Sequence, residues 1–185
     1  MNASRSQPGL LFLVLALFTH TTMAGPRDSQ WDQVNKHLGG ALPQSAIEAL
    51  RGIEAGARAD KAWAELARAI GYRVVAETAI QGGQPEEKIR RYEKEITAAP
   101  PEIAPVLKTL QALAFWEYFQ HNRWRILQRT QTAQKPGEDF ETWDLARLFA
   151  EIDARYRAAL ENAVALQKIP IADFDDLLVK GNVPD

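Results

Sequence analysis

The chain has 185 residues, 46% of them hydrophobic and 25% charged, with 22 basic against 24 acidic side chains and a formal charge of −2. These are the proportions of one globular domain with a real core rather than of a disordered chain, and the lack of a basic excess argues against a nucleic-acid partner. With no cysteine present, disulfides, thiolate metal sites and cysteine nucleophiles are excluded, so the core alone must hold the fold.

The first 24 residues stand apart. Arg5 gives a basic start, Leu10 to Phe18 ("LLFLVLALF") is unbroken hydrocarbon, and "TMA" ends on the small residue Ala24. That layout predicts a secretory signal peptide cleaved after Ala24. Nine apolar residues are too few to cross a bilayer core of about 30 Å as a helix, so no membrane span is expected after cleavage. The leader carries Arg5 and no acid, so its loss takes the formal charge to −3.

A short polar leader, "GPRDS", follows. Ser29 is placed to cap a first helix whose apolar positions are Trp31, Val34 and Leu38, with Gly39-Gly40 as a left-handed stop. Pro43 suits the first turn of a second helix bearing Ile47, Leu50 and Ile53. A third carries Trp63, Leu66, Ile70 and Val74 and runs to Gly82-Gly83. Pro85 opens a fourth, with Glu86 and Glu87 where the helix dipole favours acids; its line is Ile89, Tyr92 and Ile96, and "APP" at 99–101 closes it. The fifth, from about Glu102 to Gln120, is apolar on more than one side and is expected to be central.

Beyond it, residues 121–145 ("HNRWRILQRTQTAQKPGEDFETWDL") lose the helical period and gather two tryptophans and three arginines. Thr142 reads as the cap of a helix with Leu145, Leu148, Phe149, Ile152, Tyr156 and Leu160, and "KIPI" leads to a last helix with Phe174, Leu177 and Leu178, stopped at Gly181. No segment alternates like a strand. The expected fold is all-α: a stack of antiparallel helical hairpins over about 29–122, a pinned crossover over 123–141, and C-terminal helices over 142–181. A faint echo at a spacing of 42, Pro43 on Pro85 and Ile47 on Ile89, points to a tetratricopeptide-like, α-solenoid-like array.

Candidate chemistry is sparse. His37 precedes a helix stop and His121 follows the aromatic helix, neither in a two-histidine metal motif. The aspartates of "DFDD" at 173–176 lack the alternating donors and glycine of a calcium loop and read as cap and first-turn acids. Neither a nucleophile elbow nor a phosphate loop is present. The expectation is a protein that is not an enzyme, with no catalytic, metal or cofactor-binding residue. In the crossover, aromatic-plus-arginine groups could stack bases or clamp a loop by hydrogen bonds and indole stacking. The acidic, exported chain favours the clamp, with Trp124, Arg129, Trp143 and Asp144 as structural anchors.

"QWDQVNKHL", "PQSAIEAL", "NRWRILQRTQT", "TWDL", "RYRAAL" and "IPIADFDDLLVKGN", in that order, resemble the N-terminal helical region of the large bacterial alpha-2-macroglobulin-like proteins. The resemblance runs from about Gln30 to Asp185. It implies a periplasmic or secreted protein of the endopeptidase-inhibitor family, and a continuation of the polypeptide into macroglobulin β-domains. The bait region and the Cys-Glu-Gln-type thioester that trap proteases in that family have no counterpart here, so no functional residue carries over. The resemblance implies a structural and interaction role, with the downstream domains or an envelope protein as partner. The alternative is a freestanding periplasmic helical-repeat adaptor for a peptide or protein.

Overall fold

The computed structural model describes residues 25–129, 137–161, 163–167, 170 and 174. The predicted signal peptide and nearly all of the predicted last helix lie outside them. Among the described residues the structure is helical and contains no strand. The elements are α1 (Asp28–Gly39), α2 (Pro43–Ala59), α3 (Trp63–Ile80), α4 (Pro85–Ala98), α5 (Ala104–Leu127), a 3-10 turn (Phe140–Thr142), α6 (Leu145–Leu160) and a four-residue α7 (Ala163–Leu166). From α1 to α6 each helix packs on the next, and α3 also meets α5. None of these helices is long and apolar enough to cross a membrane.

Proline and glycine set most of the boundaries as the sequence suggests. Pro43 and Pro85 occupy the first turns of α2 and α4, where a missing N–H costs nothing. Gly82 and Gly83 take positive φ after α3, and Gly83 N donates to Thr78 O at 2.9 Å. Three expected signals fall elsewhere. The left-handed residue after α1 is Ala41 (φ 54), because the helix runs through Gly39 and its closing bond, Leu42 N to His37 O, spans one residue more. Ser29 lies inside α1, which begins at Asp28. Thr142 belongs to the 3-10 turn, and Asp144 caps α6 instead by accepting from Arg147 N at 2.8 Å.

Two apolar clusters make the core. Trp31, Val34, Leu50, Ile53 and Ala69 join α1, α2 and α3. A larger one runs from Leu66, Ile70 and Val74 through Ile89, Tyr92 and Leu107 to Phe115, Tyr118, Ile126, Trp143, Leu148 and Phe174. The leader "GPRDS" is not merely polar: Arg27 is only 8% exposed. Its guanidinium donates to Glu65 at 2.5 and 2.8 Å and to Asp60 at 2.6 Å, so it ties the start of α1 to α3 and the loop before it. A Cβ added at Gly56 would come within 3.1 Å of Arg27 Nη1, so the Arg27 side chain packs directly over α2 at this glycine. Phe174 is buried against the larger cluster, while Leu177 and Leu178 lie outside the described residues.

Candidate functional site

An open groove of about 300 Å³ lies between α3, α4 and α5, lined by Gly71, Tyr72, Val75, Lys88, Tyr92, Leu110, Leu113 and Glu117. Helical spacing creates it. Tyr72 and Val75 are three apart on α3, Lys88 and Tyr92 four apart on α4, and Leu110, Leu113 and Glu117 share one side of α5, so each helix turns one apolar strip toward the same space. Its α3 wall is held from behind. Tyr72 meets Trp31 edge-on at 5.8 Å, and the Arg68 guanidinium lies 4.0 Å from the Trp31 ring centroid and 5.7 Å from that of Tyr72. Lys88 Nζ bridges to Glu117 Oε2 at 2.6 Å between α4 and α5, so the polar groups at the rim pair with each other. Burial, with Glu117 nearby, pushes the Tyr92 phenol above its ordinary range, and Tyr92 stays a neutral wall at physiological pH. Volume and lining suit one or two apolar side chains of a partner; the size is the lower bound for small-molecule pockets.

The crossover residues meet in a different place. Trp143 is 5% exposed and lies parallel to Phe115 at 6.1 Å, edge-on to Phe140 at 6.3 Å, with the Arg147 guanidinium 4.5 Å from its ring. Its Nε1 donates to Gly137 O at 2.6 Å, and its own carbonyl accepts from Arg129 Nη1 at 2.5 Å. Arg129, Trp143 and Asp144 are therefore brought together, with Gly137, Phe140 and Arg147, at the junction of α5 and α6. Trp124 is not. It is 77% exposed, and the expectation that it anchors the crossover is corrected: α5 continues to Leu127, so Trp124 sits on the helix side opposite Tyr118 and Ile126. The crossover accordingly starts after Leu127 rather than at 123, and residues 130–136 lie outside the described set.

A buried polar contact also joins α4, α5 and α6. Gln111 is wholly buried; its Nε2 donates to Glu93 Oε2 at 2.6 Å and its Oε1 accepts from Arg155 Nη1 at 2.7 Å. Arg155 reaches Glu93 and Glu151 as well. Toward the amino end, Arg73 bonds Glu54, Glu77 and Glu95 across α2, α3 and α4. Desolvation raises Glu54 above the usual glutamate range although Arg73 opposes it. For Glu65 desolvation also pushes upward, but hydrogen bonds from Arg27 and Trp31 and the Arg27 charge outweigh it and leave the carboxyl lowered.

His37 is half-buried in the last turn of α1 and His121 is exposed on α5, so they stand on different helices and neither lines the groove. Among the described residues no group of three histidine or acidic side chains is arranged to hold a metal. Sequence reasoning missed the groove, Arg27 and Gln111. The spacing of Tyr72 with Val75 and of Leu110 with Leu113 was available, but which side stays open depends on how α3 and α5 meet. Comparison with protein-family models, with curated proteins and with solved structures returns no match to this chain.

Proposed function

We propose that this chain is a non-catalytic helical interaction module of an exported, alpha-2-macroglobulin-like protein, and that it holds its partner in the groove between α3, α4 and α5. The groove itself carries the reading: an open, largely apolar surface whose charged rim is internally paired offers burial to a protein side chain and presents no nucleophile–base pair to a substrate. The ordered segments of resemblance from Gln30 onward support the family and, with the leader at residues 1–24, support export to the periplasm or beyond. The succession of α2 with α3 and α4 with α5, each pair opened by a proline, supports arranging them as two stacked hairpins of a tetratricopeptide-like array. In this reading the partner is a downstream macroglobulin domain of the same polypeptide, and the crossover clamp around Trp143 is structural.

A freestanding envelope adaptor is the second reading, in which the same groove takes a peptide or protein partner. Export is common to both and is tested first by mass spectrometry of the mature protein from fractionated cells. A periplasmic or secreted product beginning at Gly25 is expected. An intact Met1 on a cytoplasmic product would overturn both readings.

A further inference from the structure

The outer side of α5 carries an exposed apolar strip of symmetric sequence. Leu113, Trp116, Gln120, Trp124 and Leu127 fall within one narrow strip of the helix, on the side away from the buried Leu107, Gln111, Tyr118 and Ile126. The strip bears no charged side chain, and its four apolar members are between 40% and 77% exposed. Their order is a palindrome about Gln120: tryptophan four residues away in each direction and leucine seven away. Trp116 is already steadied from one flank by Phe119 and Phe149, at 5.4 and 6.2 Å.

We propose that this strip is the contact of a two-fold homodimer in which α5 of one copy lies antiparallel on α5 of another, with Gln120 at the axis. In a two-fold contact, residue i of one copy meets residue j of the other and j meets i. With the axis at Gln120, Leu113 faces the second copy's Leu127, and Trp116 faces its Trp124. Like side chains therefore meet at matched heights along α5, a helix about 36 Å long. The two Gln120 amides, each both donor and acceptor, can bond one another reciprocally, so the polar group at the centre remains satisfied when water leaves. A strip without charge brings no repulsion between identical copies.

The area fits a modest dimer. Taking a large aromatic as about 250 Å², the four apolar side chains leave roughly 450 Å² in water on each copy. Two copies thus bring about 900 Å² of apolar surface together, and the flanking Phe149, 40% exposed, extends it toward the 1,200 Å² at which specific interfaces begin. Trp124, which the crossover does not use, acquires a place by this means. The inference does not rest on the partner groove, but the two share Leu113, so a second copy on the strip would also cover that edge of the groove. A monomeric chain would end the inference and leave the reading of the groove standing.

Because the chain has no cysteine, a single introduced thiol can pair only with its own copy. In the full chain as the cell processes it, Gln120→Cys should oxidise to a covalent dimer in dilute solution. Thr109→Cys should not: its two copies would lie about 33 Å apart across the axis, against the 4.4–6.8 Å that a disulfide spans between Cα atoms. Sedimentation of the unmodified chain should give a mass rising from one copy to two between about 1 and 100 μM, and Trp124→Glu should raise the dissociation constant at least tenfold while leaving the melting temperature unchanged at a concentration too low for association. The proposal is overturned by a single-copy mass throughout that range, by a dimer indifferent to Trp124→Glu, or by equal crosslinking from positions 120 and 109.

Discussion

The two ends of this molecule are joined by different chemistry. From α1 to α4 the helices are laced by arginines, with Arg27 on Glu65 and Asp60 and Arg73 on Glu54, Glu77 and Glu95. Between α5 and α6, beside the buried Gln111–Arg155 contact, the joint is mainly aromatic: Phe115, Phe140 and Trp143 meet in one group, and Trp116, Phe119 and Phe149 in another. Ion pairs hold their helices through charges that acid can remove, whereas ring contacts depend on shape and buried area. The Arg27–Glu65 pair should therefore answer to acid and the aromatic joint to truncation.

Trp143→Ala tests the aromatic joint with the largest expected effect. Emptying a tryptophan site costs about 3–5 kcal/mol, equivalent to a fall of roughly 10 °C in the melting temperature for a domain of this size; a loss under about 1 kcal/mol by chemical denaturation would remove Trp143 from its place as the anchor. Next comes Arg27→Ala in the polar joint, with an expected loss of about 2–3 kcal/mol. That is below the figure for a wholly buried pair, since the Asp60 side chain is 59% exposed.

The same variant sharpens the pH contrast. Glu65 is lowered from its ordinary value of 4.5 in the fold, so its contribution is fully present above 4.5 and is lost as pH falls below it toward the folded value. Acid titration of stability should show a shallower decline below 4.5 in Arg27→Ala than in the unaltered chain; parallel curves would detach the Arg27 pair from acid sensitivity. Smaller still, Asp144→Ala removes the α6 cap and should cost about 1 kcal/mol by urea unfolding. Trp124→Ala should change monomer stability by no more than about 0.5 kcal/mol, at a concentration too low for association, and a larger loss would return Trp124 to the crossover.

The amino-terminal helices could be read from the chain because local signals agree there with tertiary structure. Pro43 and Pro85 open helices, Gly82-Gly83 ends one, and the apolar spacing through Ile47, Leu50 and Ile53 or Ile89 and Tyr92 marks buried sides. The end of α5 could not. Residues 121–127 mix His121, Asn122, Arg123 and Arg125 with Trp124 and hide the helical period, although Ile126 is wholly buried. Arg27 was hidden for another reason: a charge in a polar leader has no local mark of burial, and only the distant Glu65 and Asp60 make burial tolerable. The groove shares that difficulty, because Leu113 and Val75 look like core residues until α3 and α5 are placed side by side.

The proposed place of this helical chain within a larger exported protein is tested by an immunoblot of the native periplasmic fraction using antibody raised against residues 30–185. A band far above the 20.7 kDa of the chain is expected. A single band near ~18 kDa, the mass left once the signal peptide is removed, would contradict it and leave the freestanding adaptor in its place.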